Sequence, residues 1–326
     1  MRILAADVGG TKTLVSLFER SGEGWTEIAQ KRVASAAYPG LAPILKELLA
    51  AHDGPVQAGA FGVAGPVHDD RSEATNLPWI LDARALERAV PQLGRARLLN
   101  DFEAVALGLG VLRDDQLVVL QDRPALPGEP AAVLGAGTGL GEAILLPSGG
   151  ALPRVFPTEG GHTDFPPRDA LEIELLRFLQ ARHGRVSIER VVSGPGLAAL
   201  YDFLVESGRG ARVPEVESAP DRSAAIGRLG AEGADPTCAE AVRRFVSLYG
   251  AEAGNLALKC LPRGGLYVAG GIAPKLLGPI RGGDFMKSFL NKGRMEKVLA
   301  ELRVMVVTEP RVGLLGSRRA AEALCA

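Results

Sequence analysis

This 326-residue sequence has few cysteines and almost no net charge, and each of these facts argues against particular classes of protein. The three cysteines are Cys238, Cys260 and Cys325. Their odd number and wide spacing argue against a disulfide framework and against a CxxC metal site, and they fit a reducing cytoplasm. The net charge of -1 provides no basic surface, so we expect no nucleic-acid partner.

Long hydrophobic runs are missing as well. No stretch approaches the length needed to cross a bilayer, so we expect no membrane partner. The N-terminus runs from Met1 and Arg2 directly into a strand-like segment, without the apolar stretch of a signal peptide. The apolar fraction of 47% and the charged fraction of 23% are those of an ordinary globular protein. We therefore expect a cytoplasmic protein whose chain is long enough for two domains.

Two segments rich in glycine and threonine are the most informative features that the sequence does contain. Residues 7–11 read Asp-Val-Gly-Gly-Thr, and residues 135–141 read Gly-Ala-Gly-Thr-Gly-Leu-Gly. Each lies between two apolar, strand-like runs. Because glycine has no Cβ, backbone N–H groups in such a turn can approach an anionic oxygen closely. One such segment alone is equally typical of an ordinary hairpin turn. Two of them, each with a threonine inside the turn, predict a polyphosphate site.

Two better-known phosphate motifs are absent. The P-loop requires a glycine before its Lys-Ser/Thr pair, whereas Lys12 and Thr13 follow Thr11. The dinucleotide fingerprint requires a third glycine at the start of a helix. That position would be Leu140 or Glu142, and a strand-like run follows it. The predicted phosphate site therefore consists of strand–turn–strand hairpins.

Strand-like and helix-like patterns alternate along the chain, which predicts an α/β protein with mixed sheets. The strands predicted outside the two hairpins are 26–34, 56–63, 96–99, 266–269 and 303–307. The predicted helices are 41–51, 83–90, 102–112, 171–181, 238–261 and 313–324. Residues 208–236 predict a surface excursion of short helices and loops. We expect a small domain of residues 1–112, joined by a C-terminal segment of about residues 305–326, and a large domain of residues 113–304.

Asn100 and Asp101 stand where a predicted strand ends and a helix begins. An aspartate at such a position is commonly the helix N-cap. The alternative is a general base that faces a hydroxyl at the edge of a cleft, with Asn100 binding a neighbouring hydroxyl. Ligands of open α/β sheets bind beyond the carboxyl ends of the strands, which is where this pair is expected.

A second polar cluster contains Glu159 and His162. Two glycines between them free the backbone, so that both side chains can face one pocket. Glu189 adds a third acceptor suited to a polyhydroxylated ligand, although a glutamate before an arginine is usually a solvated surface pair. A surface loop is the alternative for the whole cluster. Zinc at His162 is disfavoured because no cysteine lies near it in the sequence.

Two further glycine segments are Gly194, in a Ser-Gly-Pro-Gly run, and the pair Gly270 and Gly271. Each is typical of a turn or a helix cap. Together with the two glycine hairpins, they also predict a close approach of the backbone to the flat face of an adenine.

These motifs occur in the order seen in bacterial glucokinases, and the resemblance extends over essentially the whole chain. The segments that carry it are 7–11, 100–102, 135–141, 159–162, 193–197, 268–272 and 313–317. The resemblance implies the actin-like ATPase (ribonuclease H-like) fold of the sugar kinases. That fold is a two-domain α/β architecture with mixed sheets and an interdomain cleft, usually assembled as a homodimer.

The resemblance also implies roles for individual residues. Asp101 is implied to be the catalytic base. The implied sugar-binding residues are Asn100, Asp101, Glu159, His162 and Glu189. The implied ATP-binding residues are Ala6, Asp7, Val8, Gly9, Gly10, Thr11, Gly137, Thr138, Gly139, Gly194, Gly270 and Gly271. Asp7 is implied to hold Mg²⁺ through water.

Two features bear on the branch of this family. The related repressor/kinase family usually carries a cysteine-rich zinc motif after its Glu-x-Gly-His segment, and this chain lacks such a motif. That difference favours the zinc-free glucokinase branch. Lys12 departs from the asparagine expected in that branch and resembles the repressor/kinase branch.

The implied reaction is transfer of the γ-phosphoryl group of ATP to the 6-hydroxyl of glucose, which gives glucose 6-phosphate and ADP. A kinase for mannose, fructose or an amino sugar remains an alternative, because discrimination at one hydroxyl depends on very small displacements. A sugar-sensing regulator with little turnover is the other. A transcriptional regulator would need a DNA-binding module before Asp7, where the sequence has six residues.

Overall fold

The computed structural model describes residues 1–22, 24–73 and 77–326. Within these ranges the strands are β1 (Arg2–Val8), β2 (Lys12–Ser21), β3 (Gly24–Ala34), β4 (Val56–Val63), β5 (Arg71–Glu73), β6 (Ile80–Asp82), β7 (Leu93–Asn100), β8 (Leu117–Gln121), β9 (Ala131–Ala136), β10 (Leu140–Leu146), β11 (Arg154–Thr158), β12 (Leu266–Ala269) and β13 (Val304–Val307). The α-helices are α1 (Leu41–Leu49), α2 (Ala83–Ala89), α3 (Asp101–Leu109), α4 (Ala170–His183), α5 (Gly194–Glu206), α6 (Pro214–Ser218), α7 (Arg222–Ala231), α8 (Pro236–Cys260), α9 (Leu277–Arg281), α10 (Asp284–Leu290), α11 (Glu296–Leu299) and α12 (Val312–Ala323). Short 3-10 turns, including Gly160–His162 and Ile188–Arg190, connect some of these elements.

The residues group into two compact units, which are described separately. The first contains residues 1–113, 147–157 and 309–326, and the second contains residues 114–146 and 158–308. The domain boundaries predicted from the sequence, near residue 112 and near residue 305, stay predictions.

The first unit is built on a five-stranded sheet with the order β3-β2-β1-β4-β7. β1, β4 and β7 are parallel, whereas β2 and β3 extend the sheet by antiparallel pairing. Both faces of β1 are buried. Leu4 packs in the cluster that includes α1, and Ile3 packs with residues of α3 and α12. Successive side chains of a strand point to opposite faces, so the continuous apolar run of β1 fits a strand covered on both sides.

Helix α12 packs against β1, β4 and α3 within the first unit. The contact is close because small residues lie on it. A methyl group at Gly316 would overlap the carbonyl group of Ala104. The buried hydroxyl of Ser317 donates to the carbonyl oxygen of Ala6 (2.9 Å) and accepts from the N–H of Gly62 (3.2 Å). The small residues of segment 313–317 therefore hold α12 directly against the sheet.

The second unit is built on the strands β10-β9-β12-β13-β8, which are neighbours in that order in one sheet. β9, β12 and β13 are parallel, and β10 and β8 are antiparallel to their neighbours β9 and β13. The long helix α8 supplies much of the core of this unit, with Phe245 and Tyr249 fully buried. The side chain of Asp235 caps its N-terminus by accepting from the N–H of Cys238, and Leu261 ends it in a left-handed conformation.

The structure confirms the predicted helices and strands and shortens both glycine-rich turns. Asp7 and Val8 still belong to β1, and residues 136 and 140 still pair as the last rung of β9 and β10. The actual turns are residues 9–11 and 137–139, because the flanking residues complete the strand ladders. The excursion at 208–236 contains the short helices α6 and α7. Most of this segment is exposed, as predicted, while Val216 and Ile226 in it are fully buried in the core.

Candidate active site

The carboxyl ends of three parallel strands meet at one edge of the sheet in the first unit. In the strand register, Val8 of β1 faces Val63 of β4, and Val63 faces Asn100 of β7. Asp7 precedes this row by one residue and Asp101 follows it by one residue. Asp7 and Asp101, both predicted to be site residues, therefore lie at the same sheet edge, where α/β sheets bind their ligands.

Asn100, rather than Asp101, caps helix α3. The Oδ1 atom of Asn100 accepts hydrogen bonds from the N–H groups of Phe102 (2.9 Å) and Glu103 (3.3 Å), and its Nδ2 atom donates to the carbonyl oxygen of Gly65 (3.1 Å). The alternative in which Asp101 is the N-cap is therefore wrong. Asp101 is the first residue of the helix, and its Oδ1 atom accepts from the N–H of Phe102 (2.9 Å). The amide of Asn100 keeps one N–H for another acceptor.

The first glycine turn is held from behind by Ser35. Gly9 closes the turn by donating its N–H to the carbonyl oxygen of Lys12 (3.0 Å). The fully buried hydroxyl of Ser35 donates to the carbonyl oxygen of Gly9 (2.7 Å) and lies 2.9 Å from the hydroxyl of Thr13. The N–H of Ser35 donates to the carbonyl oxygen of Thr11 (3.0 Å). Sequence reasoning missed Ser35, because a serine after a strand carries no periodic signal.

Asp7 is the candidate metal ligand of the first unit. Its carboxyl lies beside Gly313 of α12, and burial raises its pKa. A nearby cation would offset this cost of ionisation, and Mg²⁺ is commonly held by one or two carboxylates while it keeps several waters. The described residues contain no group of three or more His, Cys, Asp or Glu side chains that could hold a metal ion. A single carboxylate such as that of Asp7 fits an ion that keeps most of its waters.

The second glycine turn is bound to two other segments of its own unit. Gly137 donates its N–H to the carbonyl oxygen of Gly139 and accepts from the N–H of Gly194, both at 2.8 Å. The Oε2 atom of Glu189 accepts from the N–H of Leu140 (2.9 Å). The interpretation of Glu189 as a solvated surface pair is therefore wrong. Its carboxylate supports the predicted phosphate turn.

Close backbone approach explains the glycine at 270, whereas a methyl group at 194 would make only an ordinary van der Waals contact. A methyl group at Gly194 would lie 3.4 Å from the carbonyl oxygen of Gly137. Gly270 has a φ of +82°, and a methyl group there would overlap the backbone of Ala136. The carbonyl oxygen of Ala136 also accepts from the N–H of Ile272 (3.2 Å). Gly270 therefore lets the turn after β12 pack on the second hairpin.

A cavity of about 820 Å³ lies beside this hairpin within the second unit. Four predicted ATP-binding residues line it, namely Gly137, Thr138, Gly194 and Gly271. The other residues lining it are Pro195, Leu197, Asp221, Ser223, Ala224, Gly227, Arg228, Ala231, Glu232, Ile272, Lys275 and Leu276. Gly139 and Gly270 are not among the lining residues. The mixture of apolar side chains with a few polar groups is typical of a small-molecule site. Sequence reasoning missed the contributions of α7 and of Lys275, because they come from segments far apart in the chain.

Glu159 and His162 lie side by side in the second unit. The Oε2 atom of Glu159 is 3.9 Å from the Nε2 atom of His162, and both side chains are exposed. The neighbouring Thr163 accepts, through its carbonyl oxygen, the N–H of Ile188 (2.8 Å). This bond joins the segment to the turn that carries Glu189. The structure therefore brings the segments of all three predicted sugar-binding residues of this unit together.

The two glycines between Glu159 and His162 have a different cause from the one predicted. Neither Gly160 nor Gly161 has a positive φ. Instead, a methyl group at Gly160 would overlap the carboxyl of Glu142, and one at Gly161 would overlap the carbonyl of Leu140. The glycines let this segment lie directly on β10.

Tyr249 supports the second hairpin from the core. Its fully buried hydroxyl accepts from the N–H of Ala136 (3.0 Å) and donates to the carbonyl oxygen of Ala269 (3.2 Å). Ala136 is the last residue of β9, which leads into the second glycine turn. Ala269 is the last residue of β12, which leads into the Gly270–Gly271 pair. Burial raises the pKa of Tyr249, so its hydroxyl remains a donor.

Comparison with solved structures defines the class of protein. The chain is similar to the glucokinase from an Antarctic psychrotroph, with a TM-score of 0.83, 30% sequence identity and 98% of each chain covered. It is also similar in fold to a ROK family glucokinase from Streptomyces griseus, solved with glucose and AMPPNP, with a TM-score of 0.68, 21% identity and 99% of each chain covered. The chain thus has the two-domain actin-like ATPase fold of the sugar kinases, which confirms the predicted fold class.

Comparison of sequences defines the family. A family model described as Glucokinase matches residues 4–324. The glucokinase of Nostoc punctiforme is 41% identical over 344 residues, which cover 99% of this chain and 98% of the relative. The chain belongs to the glucokinase family. None of its described helices combines the length and the apolar character needed to span a membrane.

Proposed function

We propose that the chain transfers the γ-phosphoryl group of ATP to the 6-hydroxyl of glucose, with glucose 6-phosphate and ADP as products. The position of Asp101 carries this proposal. Asp101 follows the carboxyl end of β7, at the same sheet edge as the first glycine turn, and Asn100 performs the capping that an aspartate there usually provides. Membership of the glucokinase family supports the same activity.

Asp101 acts as the general base in this proposal. Phosphoryl transfer asks little covalent chemistry of a protein, so positioning and charge neutralisation dominate. Asp101 accepts the proton of the 6-hydroxyl as the new O–P bond forms, which typically contributes about 10²–10⁴-fold to the rate. Water is the competing nucleophile, so the proposed reaction requires that water be excluded from the reacting phosphate when the sugar is bound.

ATP occupies the cavity of the second unit through its nucleoside, with Gly194 and Gly271 of the cavity wall allowing the backbone to approach the adenine. The turns at residues 9–11 and 137–139 bind its phosphates through their N–H groups. Asp7, with Ala6 and Val8 beside it, faces the metal–phosphate end. When bound there, Mg²⁺ supplies positive charge to the β- and γ-phosphate oxygens. Lys275, in the wall of the cavity, provides a further positive charge for the nucleotide.

The proposed hydrogen-bonding residues for glucose are Asn100, Glu159, His162 and Glu189. Asn100 contributes the side-chain N–H that does not donate to Gly65, and Glu159 and His162 contribute exposed polar atoms. Glu189 contributes its remaining carboxylate oxygen while its Oε2 atom supports the second hairpin. By analogy with the family, we propose a cytoplasmic homodimer without nucleic-acid or membrane partners.

A coupled assay of ADP release across glucose, mannose, fructose and glucosamine tests the proposed function. We expect glucose to give the largest kcat/KM and to require both ATP and Mg²⁺. ADP release with only another hexose would show that this hexose, rather than glucose, is the substrate. Absence of sugar-dependent release, with calorimetric binding of glucose retained, would instead indicate a sugar sensor.

A further inference from the structure

Glu142 is a buried carboxylic acid that the proposed chemistry does not use. It lies in β10, two residues after the Leu140 N–H that binds Glu189, and is 1% exposed. Its carboxyl packs directly against the Cα atom of Gly160, where a methyl group would overlap it. Gly160 stands between Glu159 and His162. The proposed sugar-binding segment thus rests on the side chain of Glu142.

The backbone of Glu142 holds the same segment. The hydroxyl of Thr158 donates to the carbonyl oxygen of Glu142 (3.3 Å), and the N–H of Gly160 donates to the hydroxyl of Thr158 (3.2 Å). Gly161 lies equally close to the carbonyl of Leu140. Movement of β10 or of the Glu142 carboxyl would therefore be transmitted directly to the segment.

The surroundings of Glu142 disfavour its ionised form. Within the described part of the chain, its Oε1 atom is buried without a hydrogen-bond partner. Burial, together with repulsion from Glu252, raises the pKa of Glu142 to about 7, while Lys259 opposes the rise. Glu252 is itself 2% exposed and accepts from Asn255, whereas Lys259 is 53% exposed. The titratable groups that face Glu142 from α8 are Tyr249, Glu252, Lys259 and Cys260, and those on the supported segment are Glu159 and His162.

We propose that Glu142 is a positioning residue, whose neutral carboxyl supports the Glu159–His162 segment in its sugar-binding arrangement and whose ionisation weakens sugar binding. This assignment rests on the proposed function. A carboxylate against the Cα atom of Gly160 needs water or a new donor. Because the core of the second unit packs against the other side of Glu142, the Glu159–His162 segment is the part that can move.

The pH dependence of the glucose KM tests this role. At saturating ATP, the KM of the wild-type enzyme should rise about tenfold between about pH 6 and pH 8, if only the neutral form of a group titrating near pH 7 supports binding. The kcat should change much less. Glu142→Gln keeps the shape of the side chain and stays neutral, so its KM should remain near the low-pH wild-type value throughout.

Three outcomes would overturn the assignment. A flat wild-type KM would do so, and so would an unchanged slope in Glu142→Gln, which would place the titration on another group. Glu206→Gln, an exposed glutamate of the same unit, is the matched control and should keep the wild-type slope. If Glu206→Gln also lost the pH dependence of the glucose KM, that dependence could not be assigned to Glu142.

A double-mutant cycle tests the contact itself. Gly160→Ala places a methyl group into the Glu142 carboxyl and should raise the glucose KM about tenfold or more. In the Glu142→Ala background that carboxyl is gone, so the same change should raise KM less than about threefold. Equal effects in both backgrounds would contradict the contact. Absence of glucose-dependent ADP release in the wild type would overturn both the proposed function and this role. If glucose is turned over but the pH profiles of KM run parallel in the wild type and in Glu142→Gln, only the role of Glu142 is overturned.

Discussion

The carboxylate of Glu189 accepts a hydrogen bond from the backbone N–H of Leu140 at 2.9 Å. This bond joins a proposed sugar-binding residue to the first residue of β10, at the end of the proposed phosphate turn. The side chain is also close enough to exclude a methyl group at Gly139. The proposed nucleotide and sugar sites of the second unit therefore share one carboxylate, and substitution of Glu189 should affect both substrates.

Substitutions of Glu189 should separate its two contacts. Glu189→Ala leaves the Leu140 N–H without its acceptor, so we expect the KM values for ATP and glucose each to rise about tenfold. Glu189→Gln keeps an acceptor oxygen for Leu140 but loses the charge. It should raise the glucose KM and leave the ATP KM near the wild-type value. Steady-state kinetics with each substrate varied measures both, with the exposed Glu174→Ala as control. An unchanged ATP KM in Glu189→Ala would refute the shared role.

Asp101→Asn tests the general base. The substitution preserves the size of the side chain and removes its ability to accept a proton at neutral pH. We expect kcat to fall by about 10²–10⁴-fold with little change in calorimetric glucose affinity. Asp53→Asn, at an exposed position of the same unit, should keep full turnover. Near-normal kcat in Asp101→Asn would remove Asp101 from the mechanism.

Local sequence patterns were sufficient to place the candidate residues at strand ends. Glycine turns between apolar runs located both hairpins, and the strand-to-helix junction located Asn100 and Asp101. Which of the two caps α3 could not be predicted, because asparagine and aspartate are almost equally favoured at an N-cap. The supports of the turns were also beyond prediction. Ser35 bonds a residue 26 positions away, and Tyr249 bonds one 113 positions away.

Tyr249→Phe should destabilise the second unit without removing any proposed ligand. The change leaves the N–H of Ala136 and the carbonyl oxygen of Ala269 unsatisfied in the core. We expect the free energy of unfolding to fall by about 1–3 kcal/mol. Tyr38→Phe removes an exposed hydrogen bond to Glu47 and should cost less than about 0.5 kcal/mol. Denaturant titrations of both variants check this, and equal midpoints would contradict a supporting role for Tyr249.

Glu142 should make stability depend on pH in a specific direction. Its pKa is raised from 4.5 to about 7 in the folded protein, so the folded state binds the proton more tightly than the unfolded chain does. The stabilisation from this proton is complete below about pH 4.5 and is lost as the pH rises through 7. The loss is on the order of 3 kcal/mol when complete.

Glu142→Gln cannot lose a proton, so its stability should not show this decline. Relative to wild type, the variant should gain roughly 3 kcal/mol in the free energy of unfolding between about pH 5 and pH 8. Denaturant titrations at the two pH values measure the difference, and comparison within each pH cancels the contributions of all other titrating groups. Glu206→Gln should track the wild type at both pH values, because its side chain is solvated in the folded protein. A constant difference between Glu142→Gln and wild type would mean that Glu142 has an ordinary pKa in the folded protein, since only a shifted ionisation couples folding to proton binding at this position.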